Sequence, residues 1–425
     1  MTATPRINKK RGPPRTFRAF SNPNYRLLWP ANLLSYMARW MQMFALGWFV
    51  LVRTDSPWLV VMVGFAGTAP MLLLGLFGGY LADSFPRQRL FVFTQLACLG
   101  AAMGMTVLLA SGAADYRYAY LMALVLGGAW ALDMPSRRSA IHDLLGAAGV
   151  TNGLALDTMG MSASRMLGPA LAGVIISVWD FQGVYVAVTV CYLVEVALLA
   201  RFQVRGVQRD SGPSNFLTNL LVGVRYVRGN PTLRAVVMVT ITMNLVLFPY
   251  MHLVPVVARE VLNTGAVLAG VLQGASGFGA LVGAAFVASA TNIRNHGRIY
   301  IAGSILSLVT LLVFAVSRWY ALSLPALVVL GFGTAGFSTM QATLIMLVAE
   351  REMRGKALGV VTIAIGTGPL GTLSLAAITT AVSAPFALGL NAIAGTVALL
   401  VIGLTMRSLA RPTVESEGAG RTAPQ

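Results

Sequence analysis

Arg39, Gln42, Asp133, Arg137, Asp157, Arg165 and Glu195 are polar or ionisable residues set inside long apolar runs. A charge held in hydrocarbon is costly, so each marks a place where a solute, an ion or a buried partner is handled. Arg39 and Gln42 are three apart, which on a helix puts them on one face. Asp157 lies two turns before Arg165, Arg165 one turn before Gly168, and Asp133 with Arg137 closes the fourth run. Two kinds of chemistry fit. Guanidinium and amide groups bind a polar or anionic solute, and a carboxyl that alternates between paired and protonated states carries a proton; Glu195 is a weaker candidate for that role. The same residues also fit an ion-pair network that only holds helices together. Asn244, His252 and Gln341 are weaker candidates again, each as suited to an interhelical hydrogen bond as to a ligand.

Positioning such residues takes helices that cross a bilayer. The chain has 425 residues, 56% of them hydrophobic and 11% charged, too apolar for a fold covered by water. Apolar runs of about 20 residues, the length needed to span, occur at 30–52, 58–82, 90–111, 118–137, 153–178, 182–202, 233–257, 264–289, 298–316, 320–347, 356–381 and 385–406. None alternates with the period of a barrel strand, so an all-α membrane protein of twelve transmembrane helices is expected. The first run has no small-residue cleavage signature and is read as an uncleaved helix.

The formal charge of +17 is explained by topology. Of 31 Lys and Arg residues, Arg53, Arg117, Arg259 and Arg318 fall on one side of the twelve runs, Arg39 and Arg165 fall within them, and the other 25 fall on the side of the termini. The positive-inside rule makes that side cytoplasmic, in a cell membrane of bacterial inner-membrane type, with both termini inside. The excess then faces anionic lipid headgroups, and a nucleic-acid partner is excluded. Cys98 and Cys191 fall in spans and read as free thiols.

The longest polar segment between runs is a cytoplasmic linker, 203–232, in which Phe216, Leu217, Leu220, Leu221, Val224 and Val227 follow helical spacing beside Arg225 and Arg228. An amphipathic helix on the membrane surface fits, as does a polar linker with a short helix. The linker separates a basic tail at 1–29 and a six-helix bundle at 30–202 from a second bundle at 233–406 and a disordered tail at 407–425. LGPALAG at 167–173 and TGPLGTL at 367–373 suggest that the bundles are repeats. Even-numbered repeats share one orientation, so they are related by a pseudo-two-fold axis along the membrane normal around a midplane site.

Between the second and third runs stands FGGYLADSFPRQRLF, residues 77–91, which concentrates an acid and two arginines in a chain poor in charge. Gly79, Asp83 and Arg87 match the register of the signature loop of the major facilitator superfamily, which this segment resembles; Ser84 and Pro86 depart from it, and Arg89 follows one place late. The resemblance implies a conformational gate in which Gly79 lets two helices touch, Asp83 accepts hydrogen bonds from a neighbouring helix N-terminus, and Arg87 and Arg89 pair with acids or headgroups. A solvated basic turn is the plainer reading.

The segment GMSASRMLGPALAG, 160–173, is similar to the Gly-Pro motif of antiporters in this superfamily, with Gly160, Gly168, Pro169 and Gly173 as hinge and packing residues and Ala172 where a first glycine is expected. FSNPNYRLLW at 20–29, ARWMQ at 38–42, ALDMPSRRSAIHDLL at 131–145 and EREMRGKALG at 350–359 resemble the enterobactin-exporter-like and macrolide-efflux-like subgroup, except that Arg39 stands where an acidic or small residue is usual. These likenesses imply secondary active transport by alternating access: efflux of a small amphiphilic drug, siderophore or secondary metabolite by proton antiport, by a monomer without cofactors. An importer or uniporter of the same fold is the alternative within transport.

Outside transport, a membrane-embedded transferase would need a clustered nucleophile, base or metal set. His142, His252 and His296 are far apart in sequence, no Gly-x-Ser-x-Gly or metal-ligand spacing occurs, and no Gly-x4-Gly-Lys loop supplies ATP. The chain is therefore not expected to be an enzyme. A non-transporting sensor is the remaining alternative.

Overall fold

The computed structural model describes residues 15–84, 87–201, 216–289 and 295–406, without the side chains of 72–84, 87 and a few other positions near helix ends and bends. No strand occurs among the described residues. After a 3₁₀ turn, Arg15–Ser21, the helices are α1 Pro23–Thr54, α2 Pro57–Ser84, α3 Arg87–Ala110 and α4 Arg117–Ala200. Gly146 (φ 62°) and the pair Trp179 and Asp180 (φ 56° at the latter) break α4, giving α4a (117–145), α4b (147–178) and α4c (181–200). Then follow α5 Phe216–Gly229, α6 from Pro231, α7 Ala266–Ser289, α8 His296–Val316, α9 Tyr320–Val348, α10 Arg354–Ile365, α11 Gly368–Ala381 and α12 Ala384–Thr405. Beyond Thr242, α6 continues through π and 3₁₀ turns to Val261, with Pro249 and Pro255 along the way.

Eight of the described helices are long and apolar enough to cross a membrane by those criteria alone. One of the eight, Gly149–Ala200, is two spans joined at the Trp179–Asp180 bend. The other three spans are α1, α2 and α4a. The first and third fall short in hydropathy because they carry Asn32, Ser35, Arg39, Gln42, Asp133 and Arg137, and α2 is described in full only to Met71. Helices α10 and α11 together make one span, Arg354–Ala381, and the fold is thus two bundles of six spans, α1 to α4c and α6 to α12. Large apolar side chains such as Phe93, Phe286, Val401 and Leu404 are exposed around the outside, as lipid-facing positions are.

The fourth span is longer than its apolar run indicates. Asp133 and Arg137 do not close it; the helix runs on to Gly146, because the two side chains neutralise each other inside the bundle. At the face that carries the chain termini, Asn22 caps α1 by accepting from the amides of Asn24 (2.9 Å) and Tyr25 (3.3 Å), with Pro23 in the first turn. The Tyr25 hydroxyl donates to the Gly153 carbonyl at 2.8 Å and the Trp29 indole to that of Leu156 at 3.1 Å, tying α1 to α4b. Helix α5 packs beside α10, where a Cβ on Gly223 would sit 2.8 Å from the Lys356 carbonyl.

The repeat is visible in the packing. Gly168 of α4b lies on the α1 backbone at Trp40 and Met41, and Gly371, after the Gly-Pro pair of the second bundle, lies on the α6 backbone at Leu245. Bundle meets bundle along one principal seam. A Cβ added at Gly173 would collide with the Ala266 carbonyl, at Gly270 with that of Pro169, at Gly274 with that of Met166, and at Gly277 would lie 2.7 Å from the Met166 amide nitrogen. The seam ends there: Gly279 and Gly283 of α7 pack against α9 instead. Helix α2 runs along α11, again toward the face opposite the termini. Among the described residues, the close backbone contacts between the bundles therefore lie toward that far face.

Candidate functional site

Arg137, 1% exposed, is the hub of the first bundle. Its Nε donates to Asp133 Oδ2 at 2.5 Å and its Nη2 to Glu195 Oε1 at 2.7 Å and to Ser35 Oγ at 3.2 Å. Its Nη1 donates to the Asn32 amide oxygen. Asn32 passes the network on, donating to Asp157 Oδ1 at 2.6 Å, while the Tyr36 hydroxyl donates to Asp157 Oδ2 at 3.0 Å. Gln95 of α3 donates to Asp133 Oδ2 at 3.0 Å. Four elements thus converge on one guanidinium: α1, α3, α4a and α4c, with α4b joined through Asn32. Two carboxyls, Asp133 and Glu195, share that single cation, and Asp157 reaches it only through Asn32. Asp133 Oδ1 and Glu195 Oε2 have no protein partner. Such a cluster holds together only while each polar group is satisfied or neutral.

The second bundle has the same layout without charge. Gln341 of α9 donates to the Thr240 hydroxyl at 2.6 Å, and Thr240 lies 3.1 Å from the Tyr300 hydroxyl. Asn244 donates to the Thr240 carbonyl at 2.9 Å beside the Gly368 turn.

A cavity of about 50 Å³ lies between the bundles, lined by α1, α2, α4a, α6 and α7, with room for roughly three or four waters. Arg39 enters it from α1 with Met43; its Nη1 donates to the Leu126 carbonyl at 2.9 Å and its guanidinium stacks 4.3 Å from the Trp130 ring centroid. Met251, His252 and Gln273 face it from the second bundle. Gln42 does not share this cavity. A step of three residues is about 60° round a helix, and that turns Gln42, fully buried, to accept the Tyr192 hydroxyl of α4c at 2.9 Å. Arg165 reaches across the seam from α4b, its Nη2 3.4 Å from the Ser276 hydroxyl and 3.9 Å from Met251 Sδ, with Trp40 at 5.6 Å.

The sequence-predicted residues thus divide. Asp133, Arg137, Asp157 and Glu195 form one buried cluster, Arg39 and His252 line the cavity, and Arg165 stands at its rim. Gly160 is near Leu33 and Trp29, and Gly168, Pro169 and Gly173 pack as described; the backbone stays helical through Pro169, with the breaks at Gly146 and Trp179–Asp180. The packing of Gly79 and the side chains of Asp83 and Arg87 lie outside what is described, and Arg89 is exposed. Sequence reasoning missed Asn32, Ser35 and Tyr36, although 32, 35, 36 and 39 repeat at the spacing of one helix face. It missed Gln95, Gln273 and Ser276, which are single polar residues with no periodic signal.

It also missed a far-face contact: Arg259 of α6 donates from Nη1 to the Leu51 carbonyl at 2.7 Å and pairs through Nη2 with Asp55 at 2.8 Å. Asp55 takes a left-handed backbone (φ 48°) just after α1, and that directs it across the seam. The pair is partly exposed, so Asp55→Asn should shift the balance toward far-face opening by no more than about 1 kcal/mol, read as a small change in spin-label distances between α1 and α7. A large shift would mean the pair is a principal clasp.

The comparisons agree with this architecture. Residues 15–423 match the family model described as transmembrane secretion effector. The staphyloferrin A transporter of Staphylococcus aureus (strain NCTC 8325 / PS 47) is 25% identical over 234 residues, which are 54% of this chain and 58% of that protein, so the match spans little more than half of the relative. In fold, the chain is similar to a POT family transporter in complex with a thioalcohol-conjugated peptide (TM-score 0.74, 8% identity, 92% of this chain and 97% of that one). It is also similar to a bacterial homologue of the human lysosomal transporter Spinster, in an inward-facing and unoccupied conformation (TM-score 0.61, 14% identity, 91% and 96%). With the model matched over nearly the whole chain, the protein belongs to the transmembrane secretion effector family of the major facilitator superfamily, a family of multi-pass membrane proteins.

Proposed function

We propose that this transporter exports a small amphiphilic compound from the cytoplasm by alternating access, in exchange for protons, with its termini on the cytoplasmic side of a bacterial-type inner membrane. The bundles at 30–202 and 233–406 rock about the midplane cavity. Gly79, Asp83, Arg87 and Arg89 gate the cytoplasmic side, and the basic tail and linker meet anionic headgroups. The family description, secretion effector, and a relative named for a siderophore support export of a metabolite or drug.

One observation carries the coupling: two carboxyls, Asp133 and Glu195, pair with one guanidinium in the core of the first bundle and a third, Asp157, is linked to it through Asn32, while the equivalent core of the second bundle is neutral. A proton taken up by Glu195 or Asp133 frees Arg137 to re-pair, which changes how α1, α4a and α4c fit together. Proton occupancy thereby biases the two conformers differently, as coupling requires.

The test is proteoliposomes with a trapped pH-sensitive dye and an imposed pH gradient, challenged with lipophilic cations, macrolides and catecholate siderophores. Proton movement triggered by particular compounds is the expected result. Glu195→Gln should remove that movement while leaving substrate exchange without a gradient intact. Substrate flux with no proton movement in the wild type would point to uniport or import, and full coupling in both Glu195→Gln and Asp133→Asn would remove the cluster from the mechanism.

A further inference from the structure

The two arginines of the inter-bundle region differ from Arg137 in a way that identifies a ligand. Arg137 has carboxylate partners; among the described residues, no carboxylate lies within ion-pair distance of Arg39 or Arg165. Each instead rests on an indole, Arg39 at 4.3 Å from Trp130 and Arg165 at 5.6 Å from Trp40. Indole faces support a cation without neutralising it. Both arginines converge on one wall of the second bundle. Met251 lines the cavity with Arg39 and touches Arg165, Gln273 lines it and donates to the Met251 carbonyl at 3.2 Å, and Ser276 takes the Arg165 contact.

The hydrogen-bond inventory of this rim is lopsided. The Nε of Arg165 and the indole nitrogen of the adjacent Trp40 are buried donors with no acceptor in the protein, and Gln273 Oε1 is a buried acceptor with no donor. A buried donor left unmade is expensive, and two of them, on an arginine and the ring it lies over, with no carboxylate partner among the described residues, suit an anionic acceptor. Resting on the transport reading above, we propose that Arg39 and Arg165 form an anion-binding site between the bundles and that the transported compound carries a carboxylate or similar oxyanion. Its acid group takes the Arg165 and Trp40 donors, and a hydroxyl or amide of the same compound donates to Gln273 Oε1. In this conformer the cavity of about 50 Å³ is lined by Arg39, Met251 and Gln273, and the buried Arg165 and Trp40 donors lie next to it past Met251, so engaging both sets of groups takes a movement of one bundle against the other. Because the arginines belong to the first bundle and Gln273 and Ser276 to the second, the ligand bridges the two bodies that must move.

The test uses binding alone, so it stands apart from coupling and direction. Purified full-length protein in detergent is titrated with two xanthene dyes of matched skeleton, anionic fluorescein and cationic rhodamine 6G, following quenching of tryptophan fluorescence, with Trp40 and Trp130 stacked on the arginines as reporters. Fluorescein should bind more tightly than rhodamine 6G. Arg165→Gln and Arg39→Gln should each weaken fluorescein by roughly 10- to 100-fold, as loss of a charge-assisted hydrogen bond does, and leave rhodamine 6G unweakened. Arg165→Lys should retain a substantial part of the affinity, which separates loss of a cation from collapse of the site. Absence of fluorescein binding, preference for the cation, or equal fluorescein affinity in Arg165→Gln would overturn the proposal. In those cases, proton-coupled flux of cationic compounds in liposomes would still leave the transport reading standing.

Discussion

Arg137→Leu should destabilise the first bundle by about 3–5 kcal/mol at neutral pH, the loss expected when one partner is removed from a buried ionic cluster. The substitution preserves much of the volume, so the effect is electrostatic. It leaves Asp133 and Glu195, 3% and 0% exposed, without their cation, and frees the Asn32 amide oxygen that Arg137 had satisfied. The sign with pH follows from that. The loss is full where the two carboxyls would have to remain ionised and shrinks as pH falls and they take up protons. Thermal unfolding in detergent at pH 8 and pH 5 measures it: a large fall in midpoint at the higher pH and a smaller one at the lower. Adding Asp133→Asn and Glu195→Gln to Arg137→Leu should recover much of the stability, because no buried charge is then stranded. A loss under about 1 kcal/mol at pH 8, or one that grows on acidification, would mean that the cluster is not held by this cation.

The difference between what the sequence shows of this cluster and what it hides is physical. Asp133 and Arg137 stand four apart on one helix, so local spacing alone implies their contact. Glu195 and Asn32 come from other helices, and their positions depend on how α1, α4a and α4c rotate against one another, which no single periodicity records. The twelve crossings were legible because hydrocarbon imposes length and hydropathy on each segment independently. The end of the fourth was not, since a neutralised Asp–Arg pair lets a helix continue where isolated charges would end the apolar run. The Gly-Pro pairs were legible as repeats, and their role as a seam was half visible: Gly168 and Gly173 advertise close packing, but the matching Gly270, Gly274 and Gly277 on α7 acquire meaning only once α4b is seen against them. Arg39 and Gln42 illustrate the limit of spacing, since 60° of helix was enough to send them to different neighbours.

That seam yields the second large effect. Gly270→Leu should open the far face, shifting the conformational equilibrium by about 1–3 kcal/mol or more, the cost of forcing bulk into a packed contact, which is roughly 5- to 150-fold. The reason lies in what the new side chain meets. A Cβ at Gly270 runs into the Pro169 carbonyl and sits 3.2 Å from the Ala170 Cα, and backbone cannot swing aside as a side chain can. Relief comes only by separating α4b from α7, which is far-face opening. Spin labels or fluorophores at the far-face ends of the two helices should report longer distances, and flux should fall because the closed state is no longer revisited. Gly100→Leu is the control: it adds the same bulk to α3 where nothing lies within 4 Å, on the exposed side of the helix, and should change neither distance nor flux. If Gly270→Leu leaves the distances unchanged, the glycine seam does not close the far face, and closure passes to the Asp55–Arg259 pair, whose substitution would then have to produce the larger shift.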